Sequence, residues 1–290
     1  MENIIQITVS GLLMGGIYAM IAMGLTLIFG VTGIVNFAHG EFLMVAMFAT
    51  WGLNNVLGLD PYISIIIVVP LMFIIGMLVE KAMIQPIISA PHSMQIMATA
   101  GLSTVMANAA LMIMQADYRS VVTSYGTKSL MLGGAMFNIP KVVGFVAAII
   151  LTSLFYLFFK YTYSGRAITA TAQNMKAAKL MGVNIKNIYT LAFALGSACV
   201  GVAGVLIMPI YYVFPSIGTY FCTTAFVIVV LGGMGNLYGA FLGGLLIGVV
   251  EAYSGFLIAP VFKEVVYFII FIIILVVRPS GLLGKTTRSS

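Results

Sequence analysis

The stretch "GIVNFAHGEF", Gly33 to Phe42, decides how this chain is read. The protein is 62% hydrophobic and only 7% charged, so the position of each polar side chain carries information. Here Asn36, His39 and Glu41 fall within six residues, and His39 is one of only two histidines. A metal site, a catalytic pair and the end of a helix all fit those letters. The flanks favour a helix end. "GLLMGGIYAMIAMGLTLIFG" (11–30) precedes the stretch and "FLMVAMFATWGL" (42–53) follows it, both almost without charge. Asn36 can close the first helix or cap a turn, and Gly33 and Gly40 permit the reversal. Glu41 then occupies the first turn of the next helix, where the dipole favours a carboxylate. A hydrogen bond to Glu41, Asn36 or backbone satisfies His39 without a metal. This reading places the stretch at the cytoplasmic surface, between two membrane spans.

The composition supports spans. Mean hydropathy is +1.15, and the hydrophobic share exceeds the roughly 45–50% of soluble domains. A bilayer core of about 30 Å needs roughly 20 apolar residues per helix. Candidate spans lie near 7–29, 42–58, 62–79, 94–115, 142–159, 188–212, 219–233, 238–257 and 264–277. The seventh is short and glycine-rich at its end, as a half-helix or re-entrant piece would be. The expected fold is an all-α integral membrane bundle of eight or nine helices, some broken, in one domain over 1–290. The first Lys or Arg is Lys81, so no basic leader precedes the first apolar run, which reads as a retained span.

Thirteen basic residues face seven acidic ones, a net charge of +6. In a membrane protein that excess reports orientation rather than nucleic acid. One set of alternating connections holds Lys81, Lys160, Arg166, Lys176, Lys179, Lys186, Arg278, Lys285 and Arg288. The other holds Arg119, Lys128, Lys141 and Lys263. The richer side is expected in the cytoplasm, with the C-terminus; nine spans put the N-terminus outside. Glu80, Lys81 and Arg278 fall at expected membrane edges.

Two connections are long. The external one, 116–141, has turn-forming content and a Gly133–Gly134 turn signal. The internal one, 160–187, reads as a connection with one amphipathic helix over 167–181. Gly165 ends the preceding span, Ser164 or Thr171 caps the new helix, and Gly182 terminates it behind Lys179. Such a helix either rests on anionic lipid or docks a cytoplasmic partner. Gly11–Gly15, Gly239–Gly243 and Gly244–Gly248 have the spacing that lets helices approach closely. Glu251 sits inside the eighth span, where an acid marks a candidate path unless it pairs with a helix end or a Tyr, or faces a partner subunit. Thr104, Asn108 and Gln115 share a face of the fourth span, and Asn108 is the candidate path-lining residue. Cys199 and Cys222 read as small hydrophobes. "GLLGKTT" near the end imitates a phosphate loop, but Pro279 stands where its first glycine belongs.

These residues carry a resemblance. "GGIYAMIAMGLTLIFGVTGIVNFAHGEF" (15–42), "SGRAITATAQNMKAAKLMGVNIKNIYTLAFALGSACVGVAGVL" (164–206), "VLGGMGNLYGAFLGGLLIGVVEA" (230–252) and "RPSGLLG" (278–284) resemble the H-type permease subunits of branched-chain amino-acid ABC importers. The resemblance implies a coupling helix in the internal segment, with Gly165, Arg166, Ala167, Gln173, Asn174, Lys176, Ala177, Lys179 and Gly182 facing or shaping the contact to an ATPase. It implies two cytoplasmic ATPase subunits holding ATP and Mg, with no cofactor in this chain. It implies a second permease, identical or related, and an external solute-binding protein. It makes Asn36, Phe37, His39, Gly40 and Glu41 candidates for the inner gate or the partner contact. One departure stands out: Thr169 occupies the second Arg position of the family's "GRAxRA". On this reading the chain is a non-enzymatic transport subunit of a bacterial or archaeal cytoplasmic membrane. It would pass Leu, Ile, Val or a related small polar solute. An ion-coupled transporter or channel would need more midplane acids or histidines, and an intramembrane enzyme a convergent catalytic set.

Overall fold

The computed structural model describes residues 2–132, 135–278 and 280–284. The Gly133–Gly134 turn, Pro279, Lys285 and Arg288 lie outside the described residues. The long helices are α1 (Glu2–Thr32), α2 (His39–Leu57), α3 (Ile65–Val79), α4 (His92–Met114) and α5 (Ile139–Tyr161). Two short helices follow, α6 (Tyr163–Gln173) and α7 (Met175–Leu180). The chain then runs through α8 (Ile185–Ile207), α9 (Ile217–Gly232), α10 (Leu237–Leu257) and α11 (Lys263–Val277). Each of the nine apolar runs in the sequence forms a helix, and seven of these stretches are long and apolar enough to cross a membrane. α9 has 16 residues, or about 24 Å, short of a bilayer core. The polar ends of α2, His39–Glu41 and Asn54–Asn55, lower its mean hydropathy.

α1 and α8 are almost wholly enclosed, while α4 and α11 expose most of their surface. Small residues set the centre. Gly24 of α1 and Gly196 of α8 cross so closely that a Cβ on Gly24 would stand 2.6 Å from the Gly196 carbonyl oxygen. Gly11 and Gly15 meet Gly248 and Gly244 of α10 in the same way. The close approach that the sequence spacing predicts is therefore an α1–α10 seam. Gly243 instead faces Ile228 of α9.

The third span is longer than its apolar run. A π-helical turn, Glu80–Ile84, continues α3 and carries Glu80 into the bundle, where it is fully buried and accepts a hydrogen bond from Thr190 of α8. Glu80 is thus turned into the bundle, level with the first turns of α8, because the helix does not stop where its apolar letters do.

The face where α1 begins carries the 115–138 connection. An antiparallel hairpin, β1 (Ser129–Leu132) with β2 (Ala135–Asn138), is followed directly by α5. Arg119 pairs with Val213 through two backbone hydrogen bonds and lies over the Trp51 ring at 4.3 Å. Tyr125 donates to Asp60, and its phenol, raised by burial and then by Asp60, holds its proton above the usual tyrosine range. The opposite face carries α6, α7 and residues 280–284. There Leu282 and Leu283 donate backbone N–H groups to the carbonyls of Leu231 and Gly232, closing the last turn of α9.

Candidate functional site

The polar letters of 33–42 are not at a helix end on the surface. His39 Nε2 lies 3.0 Å from the carbonyl oxygen of Ile21, eleven residues before α1 ends at Thr32. At 1.5 Å per residue that is about 16 Å back along α1. The irregular residues 33–36, at about 3.3 Å each, cover most of it, and the turn at 37–38 and the reach of the His39 ring supply the rest. The segment leaves α1, turns at Gly33 and climbs beside the helix it has just left. α2 consequently starts at mid-depth, enclosed by α1, α4 and α9.

Each step of the climb is tied down. Asn36 Oδ1 accepts the backbone N–H of Ala38, a local turn that leaves Asn36 Nδ2 buried without a partner. Thr99 of α4 donates to the Val35 carbonyl at 3.1 Å. Cys222 of α9 donates to the Phe37 carbonyl at 3.1 Å, so this cysteine clips the segment in place. Phe37 stays partly exposed and stacks on Phe226 with ring centroids 6.2 Å apart. His39 Nε2 meets backbone, one of the three kinds of partner its sequence allowed, while the buried Nδ1 has no partner among the described residues.

Gly40 and Glu41 meet the first turn of α9. A Cβ on Gly40 would collide with the carbonyl oxygen of Gly218, and one on Gly218 with Glu41 Oε2. Glu41 is fully buried; its Oε1 accepts from Ser103 of α4 at 3.1 Å and Thr219 of α9 at 3.5 Å, while Oε2 has no partner. From this point α2 runs toward the face where α1 begins and α9 runs toward the other. Two helix N-termini therefore converge on one carboxylate, and both dipoles favour negative charge there. Beside it, the N-cap Ser216 with Thr219 and Thr223 of α9, and Thr104 and Asn108 of α4, stand exposed within the span of these helices. Asn108 donates to the Thr104 carbonyl of its own helix at 2.8 Å.

Glu251 belongs to a different place. It lines a cavity of about 300 Å³ between α1, α5, α10 and α11, near the face where α1 begins. Its Oε1 lies 3.5 Å from Nζ of Lys263, the lysine that opens α11, a partner the sequence reading did not name. Lys141 reaches Ser10 at 3.2 Å across the same cavity.

The internal segment also departs from its expected form. Thr162 caps α6 by accepting from Gly165 N, so neither Ser164 nor Thr171 is the cap and Gly165 lies inside the helix. The single helix over 167–181 is broken at Asn174, whose backbone is extended and whose side chain caps α7 by accepting from Ala177 N. Gly182 does end α7: at φ +83° it donates to Lys179 while Val183 donates to Ala178. Gly165 and Ala167 are buried against α5 and its neighbours. Arg166, Gln173, Asn174, Lys176, Ala177, Lys179 and Gly182 are exposed, with Leu180 and Met181 beside them.

Comparison with known proteins agrees with this architecture. Residues 7–275 match the family model described as branched-chain amino acid transport system / permease component. The permease protein BraD of the high-affinity branched-chain amino acid transport system of Pseudomonas aeruginosa is 32% identical over 97% of this chain and 96% of its own length. LivH of Escherichia coli K12 is 30% identical over 95% of this chain and 94% of its own. A probable LivH of Methanocaldococcus jannaschii is 26% identical over 91% and 88%. No solved structure matches significantly. The chain belongs to the family of branched-chain amino acid transport permease components, multi-span membrane subunits of ABC transporters.

Proposed function

We propose that this chain forms half of the transmembrane path of an ATP-driven importer for Leu, Ile, Val or a related small polar solute. The observation that carries this reading is the meeting of α2 and α9 at mid-depth. Interrupted helices border substrate paths in many transporters, because their free ends supply polar groups where a continuous helix has none. Here the exposed hydroxyls of Ser216, Thr219 and Thr223 and the amide of Asn108 face outward at membrane depth. Such a stripe requires water or another protein. A second permease facing it encloses the path between the two subunits, with Asn36, Phe37, His39, Gly40 and Glu41 shaping its narrow part and Asn108 its wall.

On this reading α6 and α7 form the coupling segment within 160–187, and the 116–141 connection receives the solute-binding protein. The basic side, with α6, α7 and the C-terminus, faces the cytoplasm, and the N-terminus faces out. Two ATPases, holding ATP and Mg, close on hydrolysis cycles and shift the bundle between outward- and inward-open states. The exposed Arg166, Lys176, Lys179, Leu180 and Met181 give the ATPase a charged and apolar surface unoccupied within this chain. Reversal of charge, Arg166→Glu, is expected to cut ATPase co-purification several-fold while the variant elutes as the native subunit does. Undiminished co-purification with full ATP-driven uptake would overturn the docking role.

A further inference from the structure

We infer that the cavity at Glu251 is a receiving site on the permease itself for the amino and carboxylate groups of a free amino acid. The inference rests on the import reading above and concerns a place distinct from the α2–α9 junction. The cavity holds about 300 Å³ and combines three charged groups with an apolar wall of Met14, Ile210 and Ala252. Its charges are unequally used. Glu251, with a side chain 8% exposed, engages Lys263 through Oε1 while the buried Oε2 has no partner. Lys141 touches only a neutral hydroxyl, that of Ser10, at hydrogen-bond distance. Among the described residues, one carboxylate oxygen without a hydrogen-bond donor and one ammonium without an ion-paired carboxylate thus share one cavity, which carries two positive groups against a single negative one. A zwitterion balances the three: its ammonium toward the Glu251 carboxylate, its carboxylate toward Lys141. The apolar wall then takes an aliphatic side chain.

Saturation-transfer NMR on the purified transporter complex in detergent micelles, without binding protein, tests this. Leucine and 4-methylpentanoate, which lacks the ammonium, are the probes, and phosphatidylethanolamine is the competitor because its headgroup is also a zwitterion. We expect saturable leucine signal, about tenfold tighter than 4-methylpentanoate, with the preference lost in Glu251→Gln. Lys141→Gln should weaken both probes alike. Both variants are checked for native elution, and Lys141→Gln keeps the test decisive where Glu251→Gln fails to assemble. No saturable leucine signal, equal binding of the two probes, a preference unchanged in Glu251→Gln, or displacement by phosphatidylethanolamine at its membrane concentration would each overturn the site. ATP-driven uptake that persists without such binding would sink this inference alone, whereas absence of ATP-driven uptake would sink the import reading.

Discussion

Gly40 shows how one missing methyl group fixes a fold. Its Cα faces the Gly218 carbonyl with no flexible side chain between them, so an added Cβ must push two backbones apart. Overpacking of a tight core costs about 1–3 kcal/mol even where side chains can yield. Gly40→Ala is therefore expected to lower the melting temperature and folded yield of the purified subunit sharply. Gly52→Ala, on the same helix but with nothing within 4 Å, should leave both unchanged or slightly raised. Equal behaviour of the two variants would contradict the α2–α9 junction. The neighbouring Glu41 illustrates what residue types alone convey. Its place in the first turn of a helix was legible from "HGEF", because capping preferences are local. Its depth was not, because a turn on the surface and an extended climb through the bundle use the same Gly, Asn and His.

Helices were legible where twenty apolar residues run together, since that pattern depends on nothing distant. The break between α6 and α7 was less so. "ITATAQNMKAAKL" is rich in helix formers on both sides of Asn174, and propensity alone favours continuity. The cap decides instead: Asn174 turns its side chain onto Ala177 N and starts a second helix. Asn174→Ala removes that bond, at a cost of about 1 kcal/mol. Gly182→Ala places a Cβ at φ +83°, for a similar cost of about 1 kcal/mol. Each substitution should speed hydrogen exchange of the α7 amides about fivefold, with exchange in α8 unaltered. Unchanged protection of α7 in both variants would show that packing rather than capping holds it. The Glu251–Lys263 pair escaped the sequence for another reason. A helix turn and a 3₁₀ segment, Pro260–Phe262, fold α11 back beside α10, and no local pattern reports that angle.

Taken together, nine helical passes, seven of them long and apolar enough to cross a membrane, leave Glu2 and Gly284 on opposite faces of the bundle, with a stitched hairpin on one and the α6–α7 pair on the other. Between them, two helices that begin inside the bundle break its continuity at one depth. That division suits a subunit that receives solute on one side and force on the other. Its central claim is that passage through this chain is driven from outside it. Uptake of radiolabelled leucine into proteoliposomes decides this most directly, with the permease reconstituted beside its partner permease, the ATPases and the binding protein, and also by itself. We expect uptake only in the complete assembly with ATP inside the cytoplasmic-facing compartment, accompanied by ATPase stimulation when loaded binding protein is added. Leucine uptake by this chain alone, driven by an ion gradient and indifferent to ATP, would contradict the account.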